Sequence, residues 1–354
     1  MRLLTAKNLL IRSLFFGVLL TGCSAVPDYS FSPNFNSKTG EFEHPDGVNH
    51  DKGFFEVLGL ARKYFTRPAD PAEKEGFPLL AQSDQSPRPE VGDSNASVTW
   101  VGHSTLLFER GGKRVLTDPI FSDRASPFTF AGPKRVVKPA ITIAELPPID
   151  AVIISHGHYD HLDLPGLKRL VAAQPDIEFI VPLGLAPLIK KTGSRHVTEI
   201  DWWQAHEVDG VRYTATPVRH WSSRSMFDRN ETLWAGYMVR FADGYQFYFA
   251  GDTGYGPDFI RTRENLGAAD FAAIPIGAYD PREFMKSAHV NPEEAVQIFQ
   301  DIGAKKAVAV HWGTFKLTME PMAEPPVRLN KALVDSGIGN DRFRALIHGE
   351  RWDL

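Results

Sequence analysis

Hydrophobic positions after residue 95 fall into short runs that polar turns separate. Some runs, such as DAVIIS (150–155), are apolar almost without interruption, which is typical of strands buried on both faces. Between the runs, PGLKRLVAAQ (165–174) and NPEEAVQIFQDIG (291–303) have a helical pattern, and the second opens with Asn, Pro and Glu and ends on Gly. Strands and helices interleaved in this way predict a single α/β domain with layered sheets over residues 96–354.

The N-terminal residues have a different pattern. Three basic residues precede the apolar run SLFFGVLL (13–20), which is too short to span a bilayer as a helix but suits a secretory signal. The LTGC that follows (20–23) resembles the bacterial lipobox, in which the chain is cut before a cysteine that then carries acyl chains. We therefore predict a lipoprotein signal peptide over residues 1–22 and a membrane anchor at Cys23. By the same resemblance, Ser24 indicates the outer membrane, with the protein facing the periplasm.

Residues 23–95 are rich in Pro, Gly, Asp, Ser and Asn, and one amphipathic helix is predicted within them at 54–65. Because few of these positions are apolar enough to build a core, we predict an arm that joins the anchor to the catalytic domain.

The composition narrows the function in two ways. The net charge is -4, and both signs are scattered along the chain, so no basic stripe is available to neutralise a phosphate backbone. Nucleic acid is therefore excluded as a partner. Cys23 is the only cysteine, which excludes a disulfide framework and a thiolate metal site.

The segment HGHYDH (156–161) concentrates metal-binding side chains directly after a strand-like run. His156 and His158 are two positions apart, so on an extended backbone both side chains can leave on the same side and bind one ion. Asp160 and His161 come just after, where they would serve a second ion. Three further strand-like runs end on residues of metal-ligand type, which are His220, Asp252 and His311. Together these residues predict a two-metal site.

This set of residues resembles the metallo-β-lactamase superfamily, whose H-x-H-x-D-H signature matches residues 156–161. The resemblance implies an αββα sandwich with metals at one edge between the sheets. It also implies that His156, His158 and His220 hold one ion, that Asp160, His161 and His311 hold the other, and that Asp252 bridges the two. Imidazole and carboxylate ligands without thiolate suit Zn2+, with manganese or iron as alternatives. Two such ions, about 3.5–4 Å apart, generate hydroxide near neutral pH, which predicts a hydrolase.

Longer stretches, including WVGHST (100–105), TDPIFSDRASPFTFAGPKR (117–135) and VHWGTF (310–315), resemble the N-acylphosphatidylethanolamine phospholipase D family. The resemblance covers roughly residues 96–335 and implies a phospholipid substrate whose phosphodiester is cleaved to phosphatidic acid and an N-acylethanolamine. In the favoured mechanism, Asp160 orients a hydroxide that attacks phosphorus.

Three further residues are candidates for a place at the site. Asp118 matches a strand-end aspartate of the superfamily that hydrogen-bonds a ligand histidine. His289 aligns with an active-site histidine of the family and is expected to contact the phosphate or the leaving group. His103 is expected either to contact a metal ligand without binding the metal or to be a structural histidine of a strand.

A groove for acyl chains needs large apolar side chains near the metals. The sequence offers these around the ligand-bearing loops, and they are Trp202, Trp203, Trp221, Phe227, Trp234, Phe284 and Met285.

Two other functions fit parts of this pattern. The same hydroxide could open a lactone or a β-lactam, or hydrolyse another ester, because it can attack carbonyl carbon. Alternatively, the protein could be a metal-bound envelope lipoprotein without catalysis, although a full set of ligands for two ions argues against a purely structural site. Ser104 lies in GHS and lacks the G-x-S-x-G elbow of a serine hydrolase.

Overall fold

The computed structural model describes residues 28–48, 54–80, 95–225 and 227–354, so the predicted signal peptide and Cys23 lie outside the described residues. The elements before residue 95 are the hairpin β1 (Phe35–Asn36) and β2 (Glu41–Phe42) and the helices α1 (Phe54–Thr66) and α2 (Ala72–Glu75). The predicted helix at 54–65 is thus present as α1. Among the described residues, no helix combines the length and apolar character needed to cross a bilayer.

The first of two large sheets has seven strands in the order β16-β3-β4-β5-β6-β7-β8. Its strands are β3 (Ser97–Gly102), β4 (Thr105–Arg110), β5 (Lys113–Thr117), β6 (Ala151–Ile153), β7 (Glu178–Pro182), β8 (Val197–Ile200) and β16 (Arg351–Asp353). Strands β5 to β8 are parallel, whereas β16, β3, β4 and β5 pair antiparallel, so the sheet is mixed.

The second sheet also has seven strands, in the order β15-β14-β13-β12-β11-β10-β9. Its strands are β9 (Ala205–Val208), β10 (Val211–Thr216), β11 (Gly236–Arg240), β12 (Gln246–Phe249), β13 (Phe271–Pro275), β14 (Lys306–Val310) and β15 (Phe343–Arg344). It repeats the plan of the first sheet, with parallel pairing from β12 to β15 and antiparallel pairing from β9 to β12.

Helices cover the outer faces of both sheets. They are α3 (Leu164–Ala173), α4 (Ala186–Lys190), α5 (Asp258–Leu266), α7 (Pro292–Asp301) and α8 (Glu324–Asp335). A short helix, α6 (Arg282–Met285), lies between β13 and α7 and has no buried residues. Helices α3 and α4 share a buried cluster with the first sheet, and α5, α7 and α8 share another with the second sheet. A third cluster joins the inner faces of the two sheets. These four layers confirm the predicted αββα sandwich.

The layers explain why some strands read as continuous apolar runs. In β6, Ala151 and Ile153 pack between the sheets while Val152 packs against the helices. In β13, Phe271 faces the other sheet and Ile274 faces the helices. Since both faces of these strands are covered, an alternation of polar and apolar positions would bury polar side chains.

The described part of the arm lies against the domain. Tyr29 and Phe42 are buried in the cluster between the sheets, and the amide of Phe42 donates to the carbonyl of Asn230. Further along, Asp70 accepts from Lys316 Nζ at 3.0 Å and from the amide of Met322 at 2.8 Å. The two described segments are therefore packed against the sandwich.

Candidate metal centre

The predicted site residues lie at one edge of the sandwich, where strands of both sheets end. Strand pairing shows that β3, β5 and β6 run in one direction in the first sheet, as β10, β12 and β14 do in the second. The side chains that follow these strands are His103, Asp118, His156, His220, Asp252 and His311. The fold therefore brings together residues that are far apart in the chain.

Three imidazoles form the first group of candidate ligands. His158 Nδ1 lies 2.8 Å from His156 Nε2 and 3.2 Å from His220 Nε2. His156 and His220 are buried, and His158 is half-buried at the mouth of the site. Nitrogens that converge in this way can bind a single ion, since zinc–nitrogen bonds are about 2.0–2.1 Å long.

Carboxylates hold the second group together. Asp160 Oδ2 lies 3.3 Å from His161 Nε2 and 3.2 Å from His311 Nε2. Asp252 Oδ2 lies 3.1 Å from each of the same two nitrogens. It also lies 3.8 Å from His220 Nε2 in the first group. Asp252 thus stands between the two groups, where a bridging ligand is needed.

Hydrogen bonds on the far side of three imidazoles set the direction of their lone pairs. Ser155 Oγ donates to Asp118 Oδ2 at 2.5 Å, so it can accept from His156 Nδ1, which is 2.9 Å away. His161 Nδ1 donates to the same Asp118 oxygen at 2.6 Å, and His220 Nδ1 donates to the carbonyl of Ala288 at 3.0 Å. In each case Nδ1 carries a proton and Nε2 faces the centre of the site. Although burial opposes it, Asp252, Asp160 and Asp118 raise the pKa of His161 well above the ordinary value, so its Nε2 holds a proton that a metal ion would replace.

The electrostatics of the first group favour neutral imidazole, the form that binds metal. Burial, reinforced by neighbouring histidines, holds the pKa of His156 and of His220 well below the ordinary value. Burial also lowers the pKa of His158 to about 4. These three side chains are therefore uncharged at neutral pH.

The second group is anionic at its centre and leaves buried polar atoms unpaired. Although burial favours the neutral acids, nearby histidines, above all His161, hold the pKa of Asp160 and of Asp252 well below the ordinary value. His161 Nε2 and Asp252 Oδ1 are buried without a hydrogen-bond partner in the described part of the chain. Leaving such atoms unpaired is costly, and a bound cation would satisfy both. The donor set therefore fits divalent metal.

His103 contacts a candidate ligand directly. Its ring is buried, and Nε2 lies 3.0 Å from Asp160 Oδ2. Its backbone has a φ of 55°, and its amide donates to Thr314 Oγ1 at 2.7 Å. Two roles were predicted for His103. Its contact with Asp160 favours a residue that supports a candidate metal ligand over a structural histidine of a strand.

His289 lies at the side of Asp252 that faces the first group. Its Nδ1 is 3.9 Å from Asp252 Oδ2, and its ring centroid is 5.0 Å from that of His220. Burial lowers the pKa of His289 to about 4. With 11% of its side chain exposed, His289 can reach a molecule bound at the site while touching the ligand groups.

The mouth of the site is lined by aromatic and basic side chains. The Trp221 ring stands edge-on to His158, with centroids 4.3 Å apart. Arg224 lies over the Tyr159 ring at 4.0 Å and donates to the carbonyl of Gly157. Beyond Tyr159 and Arg224 opens a cavity of about 460 Å³, to which Phe128, Leu162, Leu164 and Pro165 add apolar walls.

The aromatic residues predicted near the metals divide into different environments. Trp202 and Trp234 are buried in the cluster between the sheets. Trp221 contacts His158, as described, and Phe227 projects into solvent with 86% of its surface exposed. Only part of the predicted apolar set therefore borders the site.

Sequence reasoning missed three supporting groups. Ser155 links Asp118 to His156, and its position between an apolar run and the histidine motif was the available signal. The Ala288 carbonyl, which orients His220, has no signal in the side-chain pattern. His348, which had no partner motif in the sequence, is buried with Nε2 3.0 Å from Thr314 Oγ1, the atom that holds the amide of His103.

The fold and the site are those of a known class of enzyme. Residues 113–312 match the family model described as a β-lactamase superfamily domain. A possible metal-dependent hydrolase from Veillonella parvula has a similar solved structure, with a TM-score of 0.59 and 19% identity, covering 73% of this chain and 100% of that one. The chain belongs to the metallo-β-lactamase superfamily and is a metal-dependent hydrolase.

Two curated relatives identify the family within this superfamily. The chain is 40% identical over 274 residues to N-acyl-phosphatidylethanolamine-hydrolyzing phospholipase D 1 of Caenorhabditis elegans, covering 74% of this chain and 76% of the relative. It is 35% identical over 286 residues to the mitochondrial protein of the same name from Saccharomyces cerevisiae, covering 77% of this chain and 60% of that one. The chain is therefore a member of the family of N-acylphosphatidylethanolamine-hydrolysing phospholipases D.

Proposed function

We propose that this protein is a membrane-anchored phosphodiesterase with two zinc ions that hydrolyses N-acylphosphatidylethanolamine to phosphatidic acid and an N-acylethanolamine. The observation that carries the proposal is the pair of ligand groups joined at Asp252 Oδ2, with the Nε2 atoms of three imidazoles already turned inward. Family membership supports the choice of substrate, since relatives that are 35–40% identical to this chain over the aligned residues carry that activity in their names.

Each ligand group would hold one ion. The proposed ligands are His156, His158 and His220 for the first ion, Asp160, His161 and His311 for the second, and Asp252 for both. When bound, two such ions activate water at neutral pH and stabilise the negative charge that develops on phosphate oxygens. Ligands without thiolate suit zinc.

Three residues of the chain would orient the attacking water, fix a ligand histidine and contact the reacting phosphate. Asp160 is proposed to orient the attacking water, because its side chain is 15% exposed and is fixed by His103 and His311. Asp118 keeps His161 in the tautomer that turns Nε2 inward. His289 borders Asp252, where its neutral imidazole can donate a hydrogen bond to a phosphate oxygen or to the leaving oxygen.

The surroundings of the site suit a lipid. The cavity of about 460 Å³ has apolar walls from Phe128 and Pro165, and it is also lined by Tyr159 and Leu162, which flank Asp160 and His161 in the chain. An acyl chain bound in this cavity would be removed from contact with water, while the phosphodiester would lie at the proposed metal ligands. Acylation of Cys23 would hold the enzyme at the membrane that contains its substrate, and we propose the periplasmic face of the outer membrane.

The function is tested by incubating purified, zinc-loaded protein with N-acylphosphatidylethanolamine in detergent and measuring the lipids by mass spectrometry. We expect equal amounts of phosphatidic acid and N-acylethanolamine, and no products from the His156→Ala/His158→Ala variant. Hydrolysis of a lactone or a β-lactam by the same sample, with no lipid products, would instead assign the site to carbonyl substrates.

A further inference from the structure

The N-terminal arm enters the domain close to the predicted lipid anchor. Tyr29 is 5% exposed, is packed between the sheets and donates to Glu199 Oε2 at 3.1 Å. Residues 24–28 alone separate it from Cys23. Since a chain extends at most about 3.3–3.6 Å per residue, whatever its conformation, Tyr29 can lie no more than roughly 20 Å from an anchor at Cys23.

This distance is short compared with the domain. A folded chain of this length has a radius of gyration of about 20 Å, so its diameter is more than twice the reach of the tether. The end of the sandwich opposite Tyr29 therefore cannot turn toward the membrane that holds the anchor. Only the side of the protein where the arm enters can lie on the bilayer.

The arm enters on the side of the metal centre. The Tyr29 ring packs on Phe42 at 5.5 Å, and the amide of Phe42 donates to the carbonyl of Asn230. Asn230 in turn donates its amide to the carbonyl of Ser222, whose hydroxyl accepts from the amide of Gly157. Gly157 lies between the candidate ligands His156 and His158. A short series of direct contacts thus connects the tether to the ligand loop.

Exposed phenylalanines lie on the arm and on the loops that follow β5 and β10, two of the strands that end at the metal centre. Phe227 is 86% exposed and lies in the same loop as Asn230, and Phe31 on the arm is 64% exposed and packs on Tyr29. Across the cavity, Phe128 and Phe130 are 55% and 79% exposed, with ring centroids 5.5 Å apart. We call Phe31, Phe128, Phe130 and Phe227 the phenylalanine collar. Phe128 and Phe130 form a contiguous exposed apolar pair beside the cavity, and exposed apolar patches mark interaction sites.

We propose that the phenylalanine collar inserts into the bilayer that holds Cys23, and that the short tether presses the mouth of the metal centre onto the same surface. This inference rests on the anchoring part of the proposed function. It goes further by naming the surface that docks and the orientation of the domain. A lipid could then reach the cavity beside Phe128 from the bilayer without crossing water.

Docking is tested first without the anchor. The Cys23→Ala chain is mixed with vesicles of phosphatidylethanolamine and phosphatidylglycerol, and the bound fraction is measured by sedimentation. We expect Phe128→Ser/Phe130→Ser/Phe227→Ser to lower the partition coefficient at least tenfold. The matched control is Val327→Ser/Val334→Ser, which removes side chains that are 67% and 72% exposed on α8, and it should bind like the parent. Equal binding by the parent and the collar variant would overturn the proposal.

Orientation is tested on the acylated full chain. Because Cys23 is the only cysteine and is blocked by acylation, Phe227→Cys and Val334→Cys each allow labelling at one position. We expect brominated lipid to quench a fluorophore at position 227 and to leave one at position 334 bright. Equal quenching at both positions would mean that the tether does not orient the domain.

Self-association through the collar is the competing outcome for the vesicle experiment. A collar-dependent dimer in sedimentation velocity, with no vesicle binding, would show that the collar is an interface between two copies and would overturn the proposal. Mass spectrometry of the intact chain reports acylation independently, and neither the vesicle nor the quenching experiment uses lipid hydrolysis. A failure of docking is therefore distinguishable from a failure of the proposed anchoring or catalysis.

Discussion

At the scale of single residues, the centre depends on groups that differ in their contacts and therefore in their roles. Asp252 touches imidazoles of both ligand groups, whereas Asp118 touches the back of His161 alone among the proposed ligands. The side chain of His289 is 11% exposed, and its Nδ1 lies 3.9 Å from Asp252 Oδ2. These differences lead to separable effects of substitution.

Asp252→Asn is expected to abolish turnover and reduce bound zinc, because an amide cannot supply negative charge between two cations. Asp118→Asn should be milder, with a loss on the order of 10–100-fold in metal affinity or activity, as is typical of groups that orient a ligand. Zinc content by atomic absorption and lipid turnover should be measured on the same samples. An Asp252→Asn protein that keeps both ions and most of its rate would contradict the assignment.

His289→Ala is expected to lower turnover while two zinc ions stay bound, because His289 lies outside the two proposed ligand groups and keeps 11% of its side chain exposed beside Asp252. The matched control is His220→Ala, which removes an inward-facing Nε2 and should lose one ion. Loss of an ion from the His289→Ala protein would make His289 a ligand.

The buried side chain of His348, which contacts Thr314, makes the stability of the protein depend on pH. Burial and the nearby Arg135 lower the pKa of His348 to about 3, far below its value of about 6.5 in the unfolded chain. The folded state therefore disfavours protonation, and stability present above pH 6.5 is lost as the pH falls toward 3. At pH 5, His348 alone should lower the free energy of unfolding by about 2 kcal/mol relative to neutral pH, since each pKa unit is worth about 1.36 kcal/mol.

The measurement is urea denaturation at pH 7 and pH 5 for the parent and for His348→Gln, with the difference between the two proteins isolating this group. We expect the parent to lose more stability than the variant over that interval. The same pH dependence in both proteins would show that His348 is not responsible.

At the scale of elements, the arm and the loops of the site depend on each other. Segment 54–80 is tied to the loop that follows β14, and the hairpin segment 28–48 is tied to the loop that carries His220. In the second case, Asp46 Oδ2 accepts from Arg219 Nη2 at 2.6 Å, and Arg219 directly precedes His220. Loops that carry ligands are thus held by the N-terminal part of the chain as well as by the sheets.

Asp70→Ala is expected to destabilise the protein by about 3–5 kcal/mol, because it leaves Lys316 buried and without its charge partner. The comparison is Asp209→Ala, whose ion pair with Lys113 is exposed and should contribute no more than about 1 kcal/mol. Chemical denaturation gives both values. Similar losses in the two variants would mean that the arm is not held by the buried pair.

At the scale of the whole molecule, the predicted anchor and the proposed metal centre lie in separate parts of the chain. Cys23 lies in the sequence before the first described residue, while the ligand groups are built from residues 156–311. We therefore expect the domain to fold and react without acyl chains at Cys23. What the anchor would add is proximity to the membrane.

Cys23→Ala is accordingly expected to move the protein from the membrane fraction to the soluble fraction while turnover of detergent-dispersed substrate stays unchanged. Fractionation followed by a lipid assay on both fractions measures this. Firm retention of the variant in the outer membrane would contradict the lipobox prediction.

The sequence by itself predicted the candidate ligands and determined the layered fold. His156, His158, Asp160 and His161 are neighbours in the chain, and the remaining candidates end apolar runs, so local pattern and strand direction suffice to predict that they meet. Helices such as α3 and α7 were predicted for the same reason, because their periodicity and end signals are local.

The tertiary structure alone decided which groups hold the ligands in place and how the arm packs. The bonds from Ser155 to Asp118, from His220 to Ala288 and from Asp70 to Lys316 join positions that are distant in sequence. A polar residue in a loop has the same local pattern whether its partner is water or a buried histidine. Such contacts depend on where two sheets and an arm meet in space, and no local pattern encodes that meeting point.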